Sequence, residues 1–235
     1  MTITRRKILG GLAASAAGAF SIFRLGAGRA HAGQETKTMD PTKISWKNHP
    51  NEHFYDAEGK FDVAKAKEAY YEMMRHYHCP IPDRLRGEDF WALDFGLGKF
   101  TEVGMAGIFW INNKEHGFFG HEIYLLPGQM IPEHQHLATE AAKAKMEGWH
   151  VRNGWVYIYG EGVPTPGVAE RIPPTHKECA VARTEQILKV GETAILGKPG
   201  EKHWMRAGPD GAIVSEYATY HDGAGLRFSH PKVAF

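Results

Sequence analysis

From Phe90 onward the chain is cut into short runs of aromatic and β-branched residues: "FWALDF", "AGIFWIN", "HEIYLL", "WHV", "WVYIYG", "EQILKV", "ETAIL" and "AIVSEYATY". Gly, Pro, Asn and Asp separate them, so each run is too short for a stable helix and is bounded like a strand. Closely spaced strands of this kind predict an all-β sandwich or barrel. One segment ahead of them differs. "FDVAKAKEAYYEMMRHYHCPIP" places Val63, Ala66, Tyr70, Met73 or Met74, and Tyr77 at helical spacing, with Asp62 as N-cap and Pro80 at the far end. The expectation is one β-dominated domain over 61–235 that includes an N-terminal helix. Residues 33–60 are polar and turn-rich and read as an extended arm.

The first 32 residues do not belong to that core. A basic start containing Arg5 and Arg6 leads into an apolar, small-residue run from Ile8 to Phe23 and ends at Ala30-His31-Ala32. This is the pattern of a twin-arginine signal peptide cleaved after Ala32. The run falls short of the roughly 20 apolar residues a membrane span needs, so no stable anchor is expected after cleavage, and the chain is expected in the periplasm or secreted. The leader holds five of the 28 basic residues and no acid, which leaves 23 basic against 27 acidic groups and a net charge of −4. No basic run remains to bind nucleic acid. Cys79 and Cys179 could pair in an exported protein or stand as separate thiols, and neither reads as a nucleophile.

Chemistry concentrates in "PEHQHLATEAAKAKMEGWHVRNG", residues 132–154. On a strand, residues two apart face the same way, so His134 and His136 can aim together into a barrel as half of a metal site. Glu140 and Glu147 both follow within reach. His76 and His78 show the same spacing at a helix end, where they diverge.

Gly128 precedes His134 by six positions, and a second stretch, "GETAILGKPGEKHW", contains Gly191, Pro199-Gly200 and His203. The pair resembles the two motifs of the cupin superfamily, which implies a double-stranded β-helix, or jelly-roll, barrel. In the first motif the metal-binding glutamate is followed by six residues and a glycine. Glu147, "GWHVRN" and Gly154 satisfy that spacing; Glu140 would require a glycine where Glu147 stands. "LATEAAKAKM" also reads as a helical or loop insertion, whereas "WHVRNGWVYIYG" reads as strand–turn–strand, a firmer platform for a ligand. Together these select Glu147.

The long gap between His136 and Glu147 resembles the D-lyxose isomerases, a family of cupin aldose–ketose isomerases, as do "LPGQMIPEHQH", "HWMRAGPDGAIVSEYAT" and "LRFSHPKVAF". The resemblance implies a divalent metal held by His134, His136, Glu147 and His203. Mn(II) is the ion it implies, with Fe(II) and Zn(II) as alternatives. The partner is a free sugar such as D-lyxose or D-mannose, isomerised through an enediolate, and cupin barrels often pair as homodimers. Glu216, on the strand after His203, is the candidate proton carrier. Lys145 is a second candidate, beside Lys143, His150 and Arg152 near the glutamate. Trp110, Trp155, Trp204 and Tyr217 are candidate sugar-stacking rings or core. The same ligand set would serve an Fe(II)-dependent dioxygenase, and the barrel could be a non-catalytic exported carbohydrate-binding cupin. A sugar requires polar walls and an oxygenase substrate apolar ones; the polar residues of 133–153 favour the sugar.

Overall fold

The computed structural model describes residues 48–234. The leader and residues 33–47 lie outside the described residues, and with them the signal-peptide reading. The end of the expected arm is packed rather than extended. Asn51–Phe54 form a 3-10 turn whose buried Phe54 meets Phe100 edge-on, ring centroids 4.7 Å apart.

Helix α1 (Val63–His76) follows, its first turn capped by Asp62, whose carboxylate accepts from the Lys65 backbone N–H at 3.1 Å. The helix ends at His76, four positions before Pro80, and His78 turns the chain at φ 54°. Ala66, Ala69, Tyr70, Met73 and Met74 form its buried stripe. Full burial of each methionine stabilises by about 1.5–3 kcal/mol.

Nine strands follow among the described residues: β1 (Phe90–Leu93), β2 (Met105–Asn113), β3 (Phe118–Leu125), β4 (Met130–His136), β5 (Glu147–Gly160), β6 (Thr184–Lys189), β7 (Thr193–Ile195), β8 (His203–Thr219) and β9 (Leu226–Phe228). Every pairing between them is antiparallel. The order β1-β2-β3-β8-β4-β9 continues through β5 on the other edge of β8 to β6 and β7. The sheet curls, so its two faces differ. Phe90, Ala106, Ile108 and Tyr124 pack outward against α1, while Met105, Ile123 and Val151 belong to the inner cluster. This is the expected cupin architecture, and alternation along each strand divides side chains between helix and interior.

β8 is 17 residues long and pairs with β4 and then β3 along one edge and with β5 along the other. Its ladder to β5 breaks twice: Arg152 is extra between the pairs Val151–Val214 and Asn153–Ile213, and Gly208–Gly211 bulge out opposite Trp155 between the pairs Gly154–Ala212 and Val156–Ala207. Gly154 sits at φ 66°, and a Cβ there would lie 2.0 Å from the Gly211 carbonyl oxygen, so no larger residue fits this bend. The expected strand–turn–strand over 149–160 is therefore a single bent strand, β5. The bulge bends it without reversing it. "LATEAAKAKM" is a loop without helix.

The cysteines are separate thiols, Cys79 donating to Asn153 Oδ1 and Cys179 to the His176 carbonyl. Tyr70 donates to Gln129 Oε1 at 2.7 Å, and the same oxygen accepts the Leu126 N–H. This fully buried amide ties α1 to the turn at Gly128 that launches β4.

His176, in the Pro174–His176 turn, is buried with its ring 5.0 Å from that of His230. Burial, and then the His230 ring, lower its pKa from 6.5 to about 4, against a weaker opposing pull from Glu102. Between those values an unfolded histidine takes up a proton that the folded one refuses, so acidification favours unfolding. We expect urea-denaturation stability to fall as the pH drops from 6.5 toward 4, and His176→Gln to flatten that fall.

Candidate metal centre

Three strands bring the four ligand candidates together. β4 presents His134 and His136 two residues apart, β5 opens with Glu147, and β8 opens with His203, paired directly with His134 in the ladder. One donor atom from each of His134, His136, Glu147 and His203 lies within 4.8 Å of all the others. Glu140 stands in the loop, exposed, and is not part of the group.

The protonation states suit a cation. His134 Nδ1 lies 2.8 Å from the Pro132 carbonyl and His203 Nδ1 2.9 Å from that of Glu201. A carbonyl can only accept, so both rings carry their proton on Nδ1 and turn Nε2 inward, as metal-binding imidazoles do. Burial, reinforced by the His203 and His136 rings, drives the His134 pKa well below its ordinary value. Burial alone would raise the Glu147 pKa, but Lys145 and then His203 outweigh it and hold the carboxyl well below the usual range. His203 Nε2 comes within 2.9 Å of Glu147 Oε2, yet is buried without a well-aligned hydrogen bond. Burial would lower the His203 pKa, but Glu147 outweighs it and raises it, so the pair calls for a positive charge between them, a proton or a metal ion. Three imidazoles and one carboxylate thus fit a divalent ion.

Next to the four lies a second charged set. Lys145 Nζ is 2.6 Å from Glu147 Oε1 and also binds Glu216 Oε1. Glu216 Oε2 meets His121 Nδ1 at 3.0 Å, His121 and Glu216 being ladder partners of β3 and β8. Burial would raise the Glu216 pKa; Lys145, with help from His121, overrides both burial and Glu147 and brings it down to about 2. Lys145 is likewise held protonated: the two carboxylates outweigh its burial. Its ammonium also lies over the Phe119 ring, 4.4 Å from the centroid.

Both catalytic candidates, Glu216 and Lys145, therefore reach the metal centre. The other candidates do not. On β5, Glu147 and Trp149 face inward, so His150 faces outward and bonds Thr193 Oγ1 at 3.1 Å. Arg152, also outward, approaches Ser215 and Glu122, and Lys143 is exposed. His121 and His221 are the lining groups that sequence reasoning missed. His121 sits in the "GHEIYLL" strand, where alternation opposite Glu216 is the signal that could have found it.

These groups line one cavity of about 340 Å³. Of the four named aromatic candidates only Trp204 lines it, and that ring is stacked on Tyr159 at 3.6 Å with its N–H given to Ala182 O. The lining aromatics are instead Trp91, Phe95, Phe109, Phe119, Trp149 and Phe228. Within 133–153, His134, His136, Lys145 and Glu147 line it, while Glu140, Lys143, His150 and Arg152 lie outside it, so only part of that segment's polarity reaches the cavity.

A curled double-stranded β-helix whose interior gathers three imidazoles and a carboxylate is a cupin with a centre suited to a divalent metal. No family model matches the chain, but individual relatives do. It is 32% identical over 171 residues to a D-lyxose ketol-isomerase of Thermofilum sp. (strain ex4484_79), covering 73% of this chain and 93% of the relative. It is 30% identical over 174 residues to a D-lyxose/D-mannose isomerase of Thermosediminibacter oceani, covering 74% of this chain and 94% of the relative. Among solved structures, the L-ribose isomerases of Cellulomonas parahominis and Acinetobacter sp. DL28 each superpose with a TM-score of 0.58 at 14% identity. In both cases the match covers 77% of this chain and 95% of theirs, a likeness of fold. The chain belongs to the D-lyxose isomerase family.

Glu147→Gln is expected to lower bound divalent metal at least tenfold, since an amide oxygen carries no charge to the ion, while Glu140→Gln leaves it unchanged. Metal analysis of the purified variants after dialysis checks this, and the reverse result would reassign the ligand.

Proposed function

We propose that this chain is an aldose–ketose isomerase acting on a free sugar of the D-lyxose or D-mannose type, with Mn(II) held by His134, His136, Glu147 and His203. Fe(II) and Zn(II) suit the same donors. The observation that carries the reading is the Lys145 ammonium joining Glu147 of the donor set to Glu216. An isomerase needs both a centre that binds oxygen and a group that moves a proton. Here they adjoin.

A divalent ion in that site supplies Lewis-acid polarisation of the sugar carbonyl and its neighbouring hydroxyl. The chain's own residues do the rest. Glu216, ionised and buried, takes the proton from C2 of the open-chain aldose and returns it to C1, while the O2 proton passes to O1; the product is the ketose and nothing else is consumed. His121 fixes the carboxylate's second oxygen and so its direction. Lys145 keeps Glu216 ionised at rest. When its ammonium turns to a substrate oxygen, burial raises the basicity of Glu216 toward what proton abstraction requires.

Glu216→Gln is expected to lower kcat by about 10²–10⁴-fold with metal content unchanged, read as ketose formed from D-lyxose and D-mannose. Retained turnover would remove Glu216 from the mechanism. The apolar lining favours a second reading, an iron-dependent oxygenase; oxygen uptake by the iron-loaded protein without ketose formation would establish it instead.

We also propose export through the twin-arginine route, on the leader alone. Changing Arg5 and Arg6 to Lys should hold the chain in the cytoplasm, as cell fractionation reads it, and unchanged export would refute the route.

A further inference from the structure

The cavity is chemically divided. Every titratable group that lines it belongs to the metal donors or to the adjoining set of Lys145, Glu216, His121 and His221. Elsewhere its described lining is carbon-rich, with no Ser, Thr, Tyr, Asn, Gln, Asp or Arg side chain. The carbon-only lining includes Trp91 and Leu93 on β1, Phe95 just after it, Met105 on β2, Ile123 on β3 and Ile131 on β4.

The apolar wall is built at a cost. Phe95 holds a left-handed backbone at φ 56°, a conformation a bulky residue takes only where its surroundings impose it, and one that marks functional sites. Its ring is buried in the inner cluster beside Phe228, centroids 5.8 Å apart, and its carbonyl accepts the Ala234 N–H. Gly107 contributes in another way. A Cβ there would lie 2.7 Å from the Trp91 ring and 2.3 Å from His121 Nε2, so its absence lets the indole lie close beside the charged end.

A pentose or hexose bears a hydroxyl on every carbon beyond the reacting pair. Each hydroxyl set against this wall would lose its water without gaining a partner from a hydroxyl, amide or guanidinium side chain. We propose that the preferred substrate is an aldose with a deoxygenated far end, such as a 6-deoxyhexose, whose two reacting oxygens meet the polar wall and whose terminal methyl packs among Phe95, Met105 and their neighbours. The inference rests on the isomerase reading above.

The test compares D-mannose with 6-deoxy-D-mannose on the metal-loaded protein, by kcat/KM and, separately, by calorimetric affinity for the unreactive polyols mannitol and 6-deoxymannitol. The deoxy member of each pair is expected to be favoured by about tenfold to a hundredfold, the range in which an apolar pocket discriminates. Met105→Gln, of nearly the same length, and Phe95→Asn, which suits the left-handed backbone, should each shrink that ratio by making an amide available to the hydroxyl. Equal or better handling of D-mannose and mannitol by the unaltered protein overturns the deoxy-sugar inference alone. Failure of all four compounds to bind or react overturns the isomerase reading, and this inference with it.

Discussion

Strand pairing along β8 is the constraint from which the site follows. β8 bonds β4 and β3 on one edge and β5 on the other, so three strands distant in sequence are held in register against one. His134 falls opposite His203, their ring centroids 4.3 Å apart, and His121 falls opposite Glu216. Neither contact needs a flexible side chain to find its partner, because backbone hydrogen bonds have already set the distance. Groups carried on paired strands hold their positions better than groups on loops. Lys145 reaches the centre from a loop, as does His221 just after β8.

The electrostatics explain why that lysine is needed. Glu147 and Glu216 are both buried and both ionised, an arrangement whose desolvation cost is repaid only by close, well-placed opposite charge. One ammonium contacts both carboxylates. A divalent ion would relieve the crowding further, taking the place of the proton that Glu147 favours on His203. Lys145 thereby connects the ion-binding groups to the proton-moving ones as a single charged unit.

Much of this was legible in the sequence, for identifiable reasons. The helix showed itself through Asp62 and the Ala66–Met73 stripe, because capping and periodicity are local. The strands showed themselves through their turns, and Glu147 was separable from Glu140 by the spacing to Gly154. What the sequence concealed depends on pairing between distant segments. His121 resembles any strand histidine until Glu216 is opposite it. Phe95 closes the strand-like run "FWALDF", but the strand ends at Leu93 and nothing local shows that Phe95 takes a left-handed backbone with its ring in the inner cluster. The polarity of "EHQHLATEAAKAKMEGWHVRN" reaches the cavity only in part, because His134, His136, Lys145 and Glu147 face in while a loop and the outward face of β5 carry Glu140, Lys143, His150 and Arg152.

The bulge at Gly208–Gly211 has a larger role than bending a strand. His203 and Glu216 are separated by an odd number of positions, so on an unbroken strand they would point to opposite faces of the sheet. β5 shows the same feature: Glu147, Trp149 and Val151 face inward at odd positions, and Val156 and Ile158 do so at even ones. Two separate irregularities, Arg152 in β5 and Gly208–Gly211 in β8, therefore each act as a phase shift, exchanging inside for outside partway along its strand. Deleting a single residue at the β8 bulge would leave composition, motif spacing and hydrophobicity almost untouched, and would turn either the histidine or the carboxylate out of the barrel.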